Sequence, residues 1–208
     1  VIDLYTWGTP NGRKVSIMLE ESGLTYQAFP INITKDEQFA ADFLAVNPNN
    51  KIPAIVDHAP PTAYGTAPYA VIESGAILVY LAEKSGQFLP KDARARMQAL
   101  QWLMWQMGGF GPMLGQTHHF VRFAKEKVPY AIERFSTETA RLYGVLNGHL
   151  GKNEYLAGAE YSIADMATHP WAARHEWHGI DLAQYPNVKR WFDVLAARPA
   201  VQRGYEVP

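Results

Sequence analysis

Near the start of the chain, in "YTWGTPNGRK" (5–14), Thr9, Pro10 and Asn11 stand between an apolar, β-favouring run and a run with helical spacing. Threonine suits the residue that caps a helix, and proline suits the first helical position, where its missing N–H would have had no partner. Capping alone accounts for both. The same geometry also presents free N–H groups and a partial positive charge, which favour an anion. A thiolate would suit: a free thiol titrates near pH ~8.5, and ionising it at neutral pH means lowering that value by ~2 units, about 2.7 kcal/mol. The helix end supplies about 0.3 to 1 kcal/mol. The remainder must come from specific donors, and a hydrogen bond to a charged acceptor is worth about 1.5 to 3 kcal/mol. The Thr9 hydroxyl and the Asn11 amide are such donors. Neither is a base at neutral pH, so the chemistry would be thiolate stabilisation and not proton abstraction.

Two further stretches carry residues of this kind. In "NPNNKIPAI" (47–55), Pro53 opens a strand-like run. With a cis bond at Pro53, Ile52 could pair backbone to backbone with a short peptide, and a trans-proline at the start of an edge strand is the plain alternative. In "IESGAILVYL" (72–81), Ser74 reads as an N-cap whose hydroxyl and neighbouring N–H groups suit a carboxylate, while Glu73 suits an ammonium group. Together they match the two charged ends of an amino acid; a cap beside a solvated glutamate explains as much locally. Among the histidines only His175 and His178 are spaced to share a metal, and no third ligand accompanies them. His118 and His119 are adjacent and would point apart on a helix, so no metal site is expected.

The elements that must position these residues follow from periodicity. Strands read at 2–6, 25–33, 53–58 and 69–73, and helices at 12–23, 37–46 and 75–86. The order βαβαββα is that of a thioredoxin-like domain over residues 1–86. "QFLPKDA" (87–93) reads as a linker, and 93–208 as an all-helical domain, with helices at 129–150, at 163–177 with a kink at Pro170, and at 187–197. In "RMQALQWLMWQM" (96–107), Met97, Leu100, Met104 and Met107 form one apolar stripe, widened by Trp102 and Trp105. That pattern predicts a helix buried on most sides, ending or kinking at the glycines that follow. "YSIADM" (161–166) sets Ser162 as an N-cap with Asp165 three residues on, a capping box with Tyr161 against Met166.

Composition narrows the partners. Lysine plus arginine (19) and aspartate plus glutamate (20) nearly cancel over 208 residues, with no block of like charge, which argues against a nucleic-acid or anionic-membrane surface. With no cysteine, disulfides, zinc-thiolate sites and a protein-borne thiol nucleophile are all excluded. Any thiol chemistry must come from a bound molecule. The start "VIDLYTWGTP" lacks the basic and apolar regions of a signal peptide, so a cytoplasmic location is expected, and a start at Val1 suggests a trimmed chain. The uncharged stretch between Arg96 and Arg122 is too rich in glutamine and glycine for a membrane span.

Taken in order, "TPNGRK", "NPNNKIPAIVD" and "ESGAILVYLAEK", followed by a helical half, resemble the cytosolic glutathione transferases. "LQWLMWQMGGFGPMLGQTHHF" (100–120) and "PYAIERF" (129–135) are most similar to their bacterial Nu class, the glutathione-dependent disulfide-bond oxidoreductases. The resemblance covers essentially the whole chain. It implies glutathione as cosubstrate, no metal, a homodimer, and a glutathione sulfur facing Thr9 and Asn11. It also implies a cysteinyl backbone paired with Ile52, a γ-glutamyl end held by Glu73 and Ser74, a glycyl end near Gln38 and Lys51, and Arg134 for a second glutathione. Many eukaryotic classes use a tyrosine near the end of the first strand, a place held here by Tyr5, but the "TPN" motif already fills the position facing the sulfur. The implied activity is glutathione-dependent reduction of small disulfides. Conjugation to electrophiles, reduction of organic hydroperoxides, and a non-catalytic binding module on the same fold are the alternatives.

Overall fold

A computed structural model describes residues 1–208, which divide into two compact units: Val1–Leu89 with Arg198–Pro208, and Pro90–Ala197. No helix is long and apolar enough to cross a membrane.

The first unit has a thioredoxin-like order: β1 (Ile2–Thr6), α1 (Pro10–Ser22), β2 (Tyr26–Pro30), α2 (Ala41–Val46), β3 (Ala54–Asp57), β4 (Tyr69–Ile72) and α3 (Ser74–Ser85). The sheet order is β2-β1-β3-β4, with β1 parallel to β2 and the other pairs antiparallel. Alternation along β1 buries Ile2, Leu4 and Thr6 on one face. Val15, Met18 and Leu19 of α1 and Ile77, Leu78 and Leu81 of α3 complete that core. The helix expected over 37–46 is two pieces, a 3₁₀ turn at Glu37–Phe39 and then α2, because Ala40 between them is extended (φ −62°, ψ 141°).

In the second unit α4 (Ala93–Trp105) continues through a π-helical turn, Gln106–Phe110, into α5 (Gly111–Thr117), and through a second π turn at His118–Phe123. The glycines therefore do not end the helix. The wider turn shifts the hydrogen-bond register just ahead of Pro112, whose nitrogen has no hydrogen to donate. Gly111 packs closely there: a Cβ would lie 2.4 Å from Gln106 Nε2 and 3.2 Å from Trp171 Nε1, so those side chains would have to shift. The expected apolar stripe is corrected. Met97 and Met104 are each 58% exposed, and the buried line of this helix is Ala99, Leu103, Gln106 and Phe110. Composition could not distinguish the two faces, because both are apolar.

Next come α6 (Pro129–Leu150), α7 (Ile163–Ala172) and α8 (Pro186–Ala196), packed around Phe110, Leu142, Tyr143, Leu146, Val188 and Trp191. Helix α7 stops at Ala172, five residues short of expectation, and a 3₁₀ turn follows at His175–His178. Pro170 cannot donate to the carbonyl one turn back, so the helix fails within a turn of it. The capping box forms as read, and Asp165 does more than cap. Its Oδ2 accepts from Ser162 N–H (3.0 Å) and Ser162 Oγ (3.1 Å), and its Oδ1 from Leu156 N–H (2.9 Å) and Trp191 Nε1 (2.8 Å).

The last helix, α9 (Pro199–Glu206), belongs with the first unit by its contacts, although sequence alone groups it with the helical half. It packs on α1 so closely that a Cβ at Gly204 would fall 2.8 Å from Ile17 Cα. Glu21 receives both Arg198 Nε (2.6 Å) and Nη2 (2.9 Å), Arg203 pairs with Glu20 (2.6 Å), and Ser16 Oγ donates to the Gly204 carbonyl at 2.7 Å.

Candidate functional site

The register of the sheet decides where the singled-out residues fall. Tyr5 on β1 pairs with Ala54 on β3, and Ala54 pairs with Ile72 on β4. The loop after β1 that carries Thr9, the segment before β3 that carries Ile52, and the residue after β4, Glu73, therefore leave the sheet at the same end. The N-termini of α1 and α3 open there too.

Thr9 is the N-cap of α1, with extended backbone, and its Oγ1 accepts from Gly12 N–H at 3.2 Å. An accepting hydroxyl still has its own hydrogen to give, so capping and donation to an anion are compatible. Pro10 is the first residue of the helix and Asn11, half-buried, stands in its first turn. Gly12 is fixed by space, because a Cβ would sit 2.3 Å from the Trp7 carbonyl oxygen and 2.5 Å from Thr6 Oγ1. The sequence singled out its neighbours and passed over it.

The Ile52–Pro53 bond is cis, and Ile52 lies just outside the β1–β3 ladder, which ends at Ala54. Its loop is tied by Asn47, a buried residue not singled out in sequence: Nδ2 donates to the Lys51 carbonyl at 2.7 Å and Oδ1 accepts from Asn49 N–H at 2.9 Å. Lys51 itself is exposed. Gln38 stands in the turn before α2, where its Nε2 donates to Asp36 Oδ1 at 3.4 Å and its buried Oε1 has no hydrogen-bond partner.

At the start of α3 the expected cap moves by one residue: Glu73 is the N-cap and Ser74 the first helical residue. Glu73 is exposed and holds φ +67°, ψ 116°, a region that non-glycine residues occupy chiefly at functional sites. Ser74 is buried, and its Oγ accepts from Lys14 Nζ at 3.3 Å. Lys14, 1% exposed, was not among the sequence candidates. The signal was there, since a lysine shares the apolar stripe of α1 with Met18, one turn on.

Tyr5 stacks on Phe29 (5.3 Å between centroids) and meets Phe43 (6.1 Å), and burial, with the Asp3 carboxylate, raises its phenol above the ordinary value. That is a packing role. In the helical unit, Arg134 on α6 lines a cavity of about 600 Å³ together with Met113, Tyr130, Glu133, Phe135 and Glu138. Glu138 is committed to Arg141 through both oxygens at 2.7 Å.

The histidines are taken up locally. His178 Nδ1 is 3.3 Å from the Tyr143 hydroxyl and its ring stacks on that of His118 at 4.3 Å, while His175 Nδ1 is 2.9 Å from the Ile180 carbonyl oxygen. His118 is buried and its neighbour His119 exposed. No group of three or more potential ligands is placed to hold a metal.

Residues 9–84 match the family model of the glutathione S-transferase N-terminal domain, and residues 110–199 that of the C-terminal domain. Over 200 residues, 96% of this chain and 92% of the relative, the sequence is 52% identical to disulfide-bond oxidoreductase YfcG of Escherichia coli K12. It is 43% identical to disulfide-bond oxidoreductase YghU of the same organism, covering 98% of this chain and 73% of that protein. A crystal structure of a glutathione transferase family member from Pseudomonas fluorescens, with two glutathione molecules bound, superposes with a TM-score of 0.93 at 48% identity, over 100% of this chain and 93% of that one. A glutathione transferase from Pseudomonas putida, with one glutathione disulfide bound per subunit, gives 0.92 at 44% identity, over 100% and 91%.

Proposed function

Because this chain belongs to the glutathione S-transferase family, we propose that it reduces small disulfides with glutathione, using the end of the sheet where Thr9, Ile52, Glu73 and Ser74 lie together. That convergence carries the reading. The Thr9 hydroxyl and the Asn11 amide donate to the glutathione thiolate, Ile52 pairs with its cysteinyl backbone, Glu73 and Ser74 take the γ-glutamyl end, and Gln38 and Lys51 the glycyl end. The bound thiolate attacks one sulfur of the disulfide. A glutathione mixed disulfide forms, and the first substrate thiolate leaves and takes a proton from solvent. A second glutathione thiolate, whose carboxylate Arg134 receives, attacks the glutathione sulfur of the mixed disulfide. The products are glutathione disulfide and the second reduced thiol, so two electrons pass from two glutathiones to one substrate. The chain has no cysteine, so both attacking sulfurs belong to glutathione and the protein supplies position and electrostatics.

Turnover of a dialkyl disulfide, followed through glutathione disulfide, tests this in the native protein and in Asn11→Ala, beside an aryl halide assay for conjugation and a hydroperoxide assay. Losing a donor to developing or resident charge lowers kcat by about 10²-fold. Fast disulfide turnover that falls by that order in the variant supports the reading. Dominant conjugation or peroxide reduction, an unaffected variant, or glutathione binding without turnover each overturns it. The exposed Met97 and Met104 of α4 fit the accompanying proposal of a homodimer, in which a second copy covers them; sedimentation at a monomer mass would refute that.

A further inference from the structure

Lys14 is among the largest fully buried side chains of the molecule, and a lysine is rarely buried without a polar task. It sits at i+3 from Asn11, so the two side chains lie on one face of α1, about 5 to 6 Å apart at Cβ. Its Nζ reaches across to α3 and donates to Ser74 Oγ at 3.3 Å. The Glu73 carboxylate is its electrostatic partner, and acts against the burial that pushes the ammonium down to about 7.

A hydroxyl that accepts from an amine or ammonium turns its own hydrogen away from that donor, and it becomes a better donor itself because successive hydrogen bonds polarise one another. We propose that Lys14 is a positioning residue for glutathione: by donating to Ser74 Oγ it orients the Ser74 hydroxyl as a donor to the γ-glutamyl carboxylate, and so selects thiols that carry that end. This rests on the role proposed above for Ser74. Lys14 touches neither the sulfur nor the disulfide in this scheme, and its effect belongs to KM and not to kcat.

The test compares native protein, Ser74→Ala, Lys14→Met and the double variant in disulfide reduction driven by glutathione or by cysteinylglycine, a thiol without the γ-glutamyl group. Each single variant is expected to raise KM for glutathione about tenfold, the effect of one hydrogen bond to a charged group, and to lower kcat/KM for glutathione by a larger factor than kcat/KM for cysteinylglycine. The double variant is expected to be no worse than either single, because both remove one interaction. Lys14→Gln, a neutral donor, should recover part of the glutathione selectivity, and it replaces the methionine variant if that one does not fold. If Ser74→Ala raises KM while neither Lys14 variant does, or if the two effects multiply, the Lys14 inference fails alone. If Ser74→Ala itself leaves KM unchanged, the proposed role of Ser74 fails first and takes this inference with it.

Discussion

At the scale of single residues, Gly12 in the first turn of α1 and Tyr5 on β1 separate sterics from chemistry. Gly12 packs against the backbone at Trp7, and backbone cannot swing aside as a side-chain end would. Gly12→Ala should therefore cost about 1 to 3 kcal/mol, as overpacking does. The same shift would displace Thr9 and Asn11, so the thermal midpoint and disulfide turnover should fall together. Tyr5 gives the opposite expectation. Its phenol is held above its ordinary value and its ring is engaged with Phe29 and Phe43, so it makes a poor thiol activator. Tyr5→Phe should keep kcat within about twofold and leave its pH profile in place, whereas a drop comparable to that of Asn11→Ala, about 10²-fold, would return the tyrosine to the reaction.

Among the elements, α7 shows how much one residue can join. The capping pair Ser162 and Asp165 is a local signal, but Asp165 also accepts from Leu156 N–H and from the indole of Trp191 on α8. Burial pushes its carboxyl up to about 6 while these four donors pull it back. Asp165→Ala would strand several buried donors at about 1 to 3 kcal/mol each, so a loss of about 3 kcal/mol or more is expected by chemical denaturation. Ser162→Ala, which removes the cap hydroxyl alone, should cost about 1 kcal/mol. Equal losses in the two variants would show that the indole and Leu156 contacts contribute nothing. Helix α4 teaches the converse lesson: its methionine stripe had the right period and the wrong face, because periodicity gives an apolar face and not what covers it.

For the molecule as a whole, buried histidines set the acid limit. Burial lowers His118 and His169 to about 4 and His178 to about 2, against about 6.5 for the unfolded chain. Between pH 6.5 and 4 the unfolded state binds more protons at these three sites, so stability falls as pH falls through that window. Asp165 works the other way, since a carboxyl raised to about 6 binds its proton in the folded state first, and it offsets roughly one histidine. A net loss of roughly 1 to 3 kcal/mol per pH unit follows, at about 1.4 kcal/mol per unit for each uncompensated group. Thermal midpoints between pH 7 and 4 should fall steadily; a flat profile above pH 5 would mean that the rings are solvated. The sequence by itself determined the order of strands and helices of the first domain, the caps at Thr9 and Ser162, the interest of Pro53, and that any thiol chemistry must use a bound molecule's sulfur, because period, capping chemistry and the absence of cysteine are local or compositional facts. Only the tertiary structure decided that Lys14 reaches Ser74, that Gly12 and Gly204 are places of close approach, that α9 lies on α1, and which side of α4 is covered. Each of these is a contact between segments far apart in the chain or between backbones in space, and a linear pattern carries no record of which surfaces meet.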